Sequence, residues 1–282
     1  MGEWPSGARW AGGAFGARWA GGAFGARWAG GAFGARWAGS VSAAPGLLAF
    51  TGAIGTAEPH AHAAVQVLLV TEGNVELVDG SGRRQRQVEA AIIPTGVRHE
   101  LLAGPGAHGL LAYLDPAGRA GRAAMARVRS GGGDPQAVGT WRGAAEPVVG
   151  EPFGAAMDDE VPGAGPGELP AVLVRALDLI PQLISGPLLL SELAARVGVS
   201  ASRLGHLFAE HLQLPYPAWR RWARLLHAIE AVRDGAGLTE AAHAAGFADS
   251  AHLTRTCRAM FGITPSHAVA AAHWRSAGRG GR

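Results

Sequence analysis

The chain has 282 residues, 25 of them basic and 22 acidic, and every basic one is arginine. An apolar fraction of 48% with 17% charged is too hydrophobic for a wholly disordered chain. A single cysteine, Cys257, excludes an internal disulfide framework and a multi-cysteine metal cluster and fits a reducing cytoplasm; no run approaches the roughly 18 apolar residues of a membrane span, and the length suggests two domains.

Residues 1–40 carry one nonapeptide, Gly-Ala-Arg-Trp-Ala-Gly-Gly-Ala-Phe, starting at Gly7, Gly16 and Gly25, with a truncated copy from Gly34. A solenoid unit needs about 20 residues, and the Trp and Phe follow neither a helical nor a strand period. The expectation is a disordered, translated DNA repeat, with the functional protein starting near Val41. The sharper alternative is an Arg/Trp arm that stacks on nucleic acid or inserts at a membrane surface.

Residues 41–129 show short apolar runs between turn residues. Val65–Val70 reads as a buried strand, Asp79-Gly80 and Ser81-Gly82 as a turn, and Ala91–Ile93 and Leu110–Leu114 as strands ending at Pro94 and Asp115-Pro116. Such spacing suggests a β-sandwich or barrel. Into it fall His60-Ala61-His62, then Gln66, and later Pro94-Thr95-Gly96-Val97-Arg98-His99. These groups resemble the two motifs of the cupin family, which implies side chains pointing into a barrel. In metal-binding cupins they hold a divalent metal. Alternation puts His60 and His62 on one face of a strand. Gln66 stands where a carboxylate is usual, and a neutral amide is the poorer ligand. The reading therefore sets an effector pocket lined by His60, His62, Gln66 and His99 above a divalent metal centre, and requires no cofactor. Residues 119–129 suit a short Arg-faced helix. Residues 130–168, rich in Gly and Pro, read as linker.

Residues 169–275 are helical in pattern. An apolar stripe over 171–184 breaks at Pro181. Leu190-Ser-Glu-Leu-Ala-Ala-Arg-Val-Gly198 then aligns with Leu238-Thr-Glu-Ala-Ala-His-Ala-Ala-Gly246, offset by 48. Each copy offers a Ser or Thr N-cap, Ser191 or Thr239, followed by Glu, and a glycine suited to a left-handed turn. Second N-caps follow at Ser200 and Asp249, then helices with cores at Leu204, Leu207, Phe208 and Leu212, and at Leu253, Thr256, Cys257 and Phe261. Helix, glycine turn, capped helix, repeated once, is a duplicated helix-turn-helix. Between the units, Tyr216–Asp234 forms an amphipathic helix of about 27 Å, able to hold two recognition helices near one DNA turn (~34 Å) apart.

Residues 188–266, and above all Gly246–Arg258 with Phe261-Gly262-Ile263-Thr264-Pro265-Ser266, resemble the DNA-binding domain of AraC/XylS transcription regulators. The resemblance implies an N-terminal effector-binding or dimerisation domain, matching the cupin-like half. Cys257 departs from it, since Phe is usual there, and the chain after Ser266 lacks the usual basic ending. The base-reading candidates are Ser202, Arg203 and His206 on the first recognition helix, and Ser250, Ala251, Thr254 and Arg255 on the second. Arg255 occupies the position equivalent to His206, and a two-bond contact to guanine makes the second unit the stronger reader. Ser200, Arg220, Arg221 and Arg258 are candidate phosphate contacts. Arg224 is given a packing role.

The expected fold is α+β in two domains, a cupin-like β-barrel followed by an all-α domain with two helix-turn-helix units, then a tail at 276–282. The expected function is sequence-specific transcription regulation under a small-molecule effector, without enzyme activity. The alternative is a metal-dependent cupin enzyme fused to a DNA-binding module; a nucleoid-coating protein is a third reading. Double-stranded DNA, the effector and a second copy of the chain are the expected partners, with RNA polymerase a further candidate and no membrane, in the cytoplasm. Charge divides accordingly. Residues 41–168 hold nine arginines against 14 acids, while 169–282 hold 12 against seven.

Overall fold

The computed structural model describes residues 37–44, 46–145, 168–186, 188–265 and 272–274. The nonapeptide repeat before Trp37, the second half of the expected linker and the 276–282 tail lie outside these residues.

Among the described residues, nine strands fill the N-terminal half: β1 (Ala38–Ala44), β2 (Leu47–Ala53), β3 (Ala57–His60), β4 (Val65–Glu72), β5 (Val75–Asp79), β6 (Arg84–Gln85), β7 (Ala90–Ile93), β8 (His99–Ala103) and β9 (His108–Leu114). A tenth, β10 (Ala272–Trp274), returns from the C-terminal end. They form two sheets that do not close on one another, a six-stranded β10-β1-β2-β9-β4-β7 and a four-stranded β3-β8-β5-β6. All pairings are antiparallel except β1 with β10. The expected β-rich domain is thus present, as an open pair of sheets rather than a closed barrel.

Strand β4 shows why Val65–Val70 reads as a continuous apolar run rather than an alternating one. Val65 and Val67 face outward into a cluster with Ala124, Met125 and Val128 of α1 (Arg119–Ser130) and Ala144 and Ala145 of α2 (Val138–Ala145). Leu68 faces the opposite way, into the core with Leu77, Ile93, Leu101 and Leu111. With both faces covered, neither set can be polar.

Helix α2 corrects the expected linker, because residues 138–145 are ordered and bury Trp141 completely. Two glycines in eight residues hide its helical period, and Trp141 and Val138 anchor it by packing instead. The start of the folded part also moves. Trp37, from the truncated repeat copy, stacks edge-on against Phe50 at 5.1 Å and donates its indole N–H to the Thr56 carbonyl.

The C-terminal half comprises α3 (Ala171–Leu179), a 3-10 turn at Pro181–Leu183, α4 (Leu190–Arg196), α5 (Ala201–Leu212), α6 (Tyr216–Arg233), α7 (Leu238–Ala244) and α8 (Ser250–Phe261). Pro181 ends the regular stripe of α3, as its missing N–H requires. Gly198 (φ +76°) and Gly246 (φ +74°) take the left-handed turns between α4 and α5 and between α7 and α8. Ser200 accepts from Arg203 N and Asp249 from His252 N, capping both recognition helices. The first helix of each unit starts one residue earlier than its Ser or Thr. The caps are Leu189 and Gly237, so Ser191 and Thr239 are already helical, and Glu192 closes its turn by accepting from Leu189 N–H. Helix α6 buries Tyr216, Trp219, Trp222, Leu225 and Ala228, the stripe expected of a connector.

One apolar core runs through both halves. Tyr113 of β9 packs edge-on against Phe261 of α8 at 4.8 Å, and Trp219 of α6 donates to the Asp115 carboxylate at 3.4 Å.

Candidate functional site

On the first recognition helix, α5, Ser202, Arg203 and His206 are exposed while Leu204, Leu207 and Phe208 are buried. On the second, α8, Ala251 and Arg255 are exposed above a core of Leu253, Thr256, Cys257, Met260 and Phe261. The 3.6-residue period separates the reading face from the packing face on both helices. Ser250 is half-buried, and its carbonyl accepts from the Thr254 hydroxyl at 2.8 Å, which ties Thr254 to its own helix. His206 Nδ1 donates to the Ser202 carbonyl at 2.8 Å, leaving one nitrogen for a partner. Arg255 keeps its planar fork of donors at the surface, the geometry that a guanine edge selects.

Two candidate phosphate contacts are otherwise engaged. Arg220 donates to the Gly186 carbonyl, a bond that Arg224 reinforces at 2.9 Å while also holding the Ile184 carbonyl at 3.0 Å. The pair fastens the segment entering the first unit onto α6, so Arg220 shares the packing role expected of Arg224. Arg258 forms a two-pronged ion pair with Glu58 of β3, both Nη2 contacts at 2.8 Å. Arg221 and the Ser200 cap remain at the surface, as a phosphate contact requires.

The four pocket residues do converge. His60, His62, Gln66 and His99 are all buried, and their rings lie 4.2–5.8 Å apart, centre to centre, among the three histidines. Strand β3 brings His60 opposite His99 of β8, while β4 delivers Gln66 from the facing sheet. Each imidazole uses Nδ1 on a nearby carbonyl: His60 on Glu58 (2.7 Å), His62 on Ala64 (2.7 Å) and His99 on Val97 (3.0 Å). A carbonyl only accepts, so Nδ1 carries the proton in all three. Burial, then the neighbouring His62, depresses His60 to about 3; burial also lowers His62, and burial with the other two rings holds His99 well below the ordinary imidazole range. All three are neutral at physiological pH.

Two features escape sequence reasoning. One is Glu58, whose partner lies 200 positions away. The other is a cavity of about 90 Å³ between the six-stranded sheet and the second unit, walled by side chains such as Phe50, Leu111, Leu225, Leu253, Cys257 and Phe261. Burial pushes the Cys257 thiol up to about 12, which makes it an apolar wall rather than a nucleophile. The one available sign was Cys257 itself, small where the resemblance calls for Phe.

Residues 193–271 match a family model described as a helix-turn-helix domain. No curated protein matches the sequence. Among solved structures, the chain is similar to an apo ToxT variant from Vibrio cholerae strain SCE256, at 8% identity over 81% of this chain and 98% of that one, with a TM-score of 0.53. It is similar to ToxT from Vibrio cholerae O395 at 8% identity, over 84% and 96% of the two chains, with a TM-score of 0.50. A regulator with an AraC-type DNA-binding domain from Chromobacterium violaceum aligns over 35% of this chain and 89% of that one, at 29% identity and a TM-score of 0.34. The two ToxT matches establish a shared two-domain fold.

Proposed function

We propose that this chain, whose C-terminal third is an AraC-type helix-turn-helix DNA-binding domain, is a sequence-specific transcription regulator controlled by an effector bound in its β-rich domain. The observation that carries the reading is the pair of capped recognition helices, α5 and α8, presenting Arg203 with His206 and Ala251 with Arg255 from either end of one 18-residue connector. At 1.5 Å per residue the connector is about 27 Å long, close to the ~34 Å between successive major grooves on one face of DNA. Effector control is supported by the continuous core between the β-rich half and α8, because a change in one half cannot leave that packing untouched.

A regulator is preferred to a metal-dependent cupin enzyme because the histidine cluster adjoins α8, through the Ala61–Ala259 hydrogen bond and the His62–Tyr113–Phe261 ring contacts, and its three imidazoles are neutral rather than an acid–base pair. We place the protein in the cytoplasm, with double-stranded DNA as partner, a second copy of the chain for a paired operator, and RNA polymerase as the recipient of its signal. No described helix is long and apolar enough to cross a membrane. Footprinting on genomic fragments tests the reading. Discrete protected sites of one or two turns are expected, and uniform coating that disappears with salt would overturn it.

A further inference from the structure

We infer that Tyr216, Arg220 and Arg224 of the connector α6 are positioning residues for DNA reading: they form a brace that fixes the two recognition helices relative to one another and so sets the base-pair spacing accepted between the half-sites. The inference deepens the regulator reading above and rests on it.

The first argument is a ladder of side chains along one side of α6. Tyr216, Arg220 and Arg224 are four residues apart, so they follow one another at steps of about 6 Å. They donate in turn to the carbonyls of Leu188, Gly186 and Ile184, which run in the opposite direction. The Tyr216 hydroxyl reaches Leu188 at 3.0 Å, Arg220 reaches Gly186, and Arg224 spans Gly186 at 2.9 Å and Ile184 at 3.0 Å. The side chains of Ile184 and Leu188 are meanwhile buried in the core, and the segment leads directly into α4. The entry to the first unit is thus held from both its backbone and its side chains.

The second argument is what the two ends of the ladder touch. At one end, Tyr216 packs edge-on against Phe208 of α5, the first recognition helix, at 5.3 Å. At the other, Arg224 Nη2 and the Ser185 and Ile184 carbonyls crowd Gly246 so closely that a Cβ there would lie 2.8–2.9 Å from each. Gly246 is the turn that aims α8, three residues before the Asp249 cap. The entry segment of the first unit therefore bears on the turn of the second, and Arg224 joins them.

Charge argues that this arrangement serves position. Arg220 and Arg224 stand side by side, and among the described residues no carboxylate pairs with either. Burial, and then the neighbouring Arg220, lowers Arg224 from the ordinary guanidinium range, and Arg220 Nε is buried without a partner. Apolar side chains would fill the same space without that penalty. What they lack is the planar fork that fixes two carbonyls at once.

The test uses the full chain and a duplex selected from a random pool. One base pair inserted between the half-sites displaces one of them by about 3.4 Å and turns it by about 35°, so wild-type affinity should fall about tenfold or more. In Arg224→Ala that penalty should shrink to about threefold or less, with affinity for a duplex whose second half-site is scrambled kept within about twofold. Arg224→Lys retains the charge but not the fork and should match Arg224→Ala, while Tyr216→Phe, which keeps the ring against Phe208, should fall between. Leu111→Ala removes buried side chain from β9, away from the ladder, and should keep the full penalty. An undiminished penalty in both Arg224 variants, or equal relaxation in Leu111→Ala, overturns the brace. Selective binding by the wild type without spacing dependence does so too and leaves the regulator standing. No selective binding overturns the regulator reading, and amide exchange in the free protein then decides the brace. The Gly246 and Phe247 amides, bonded to the His243 and Ala242 carbonyls, should exchange about tenfold faster in Arg224→Ala, and unchanged rates overturn it.

Discussion

The two helix-turn-helix units share one sequence pattern, offset by 48 residues, yet occupy different surroundings. In the first, Gly198 turns in open space and α5 exposes its reading face with no partner on the β sheets for Arg203 or His206 among the described residues. In the second, Gly246 is walled in by the Ser185 and Ile184 carbonyls and Arg224, and α8 lies against β3 through the Ala61–Ala259 hydrogen bond and the Glu58–Arg258 pair. One pattern thus yields a free reader and an anchored one.

The matched glycines expose this difference most strongly. Gly198→Ala should cost about 1–2 kcal/mol, the strain of a left-handed alanine. At Gly246 the new Cβ would also meet backbone oxygens at 2.8 and 2.9 Å, so the loss should reach about 3 kcal/mol or more. Urea unfolding of both variants checks the ranking; equal losses would mean that the second unit is no more tightly held than the first. Next come the base readers. Arg255→Ala should cost about 1–3 kcal/mol at one base pair and relax selectivity there, with His206→Ala costing less and Arg221→Ala weakening all sequences alike. Selection of bound sequences by each variant distinguishes the three, and equal losses on specific and random DNA for Arg255→Ala would remove its reading role. The anchored unit also holds the cavity. Cys257→Leu should fill part of its 90 Å³ and stabilise the protein by at most about 2 kcal/mol, at ~24 cal/mol per Å³. Thermal unfolding reads this, and a lower midpoint would show that the walls cannot accept the larger side chain.

Much of this anatomy is legible in the sequence because its signals are local. Caps at Ser200 and Asp249, turns at Gly198 and Gly246, and the stripe of α6 each depend on residues a few positions apart. The His60, His62, Gln66 and His99 cluster is legible too, since two short motifs place all four. What escapes is set by distant packing. Helix α2 has almost no apolar period and exists because Trp141 fits beneath the sheets. Strand β10 lies within the stretch read as DNA-binding domain yet completes the β1 edge of the other half. Arg220 and Arg258 are chemically sound phosphate ligands, but no local signal tells that a carbonyl or a carboxylate has already claimed them.

That last case is the smallest in energy and bears most directly on how the two units differ. The Glu58–Arg258 pair is more than half exposed on both sides, so its net worth to stability is about 1 kcal/mol or less. Glu58→Ala should therefore leave the unfolding midpoint almost unchanged. Its effect belongs in DNA binding. Arg258 stands on the helix that reads DNA, and a guanidinium released from Glu58 can neutralise one phosphate and release its counterion. The dependence of log K on log salt should then steepen by about one, with tighter binding at low salt. Arg258→Ala should show the unsteepened slope whether or not Glu58 is present. An unchanged slope in Glu58→Ala would mean that Arg258 faces the β-rich half in the DNA complex as well, making the pair a fixed part of the anchor rather than a contact that DNA competes for.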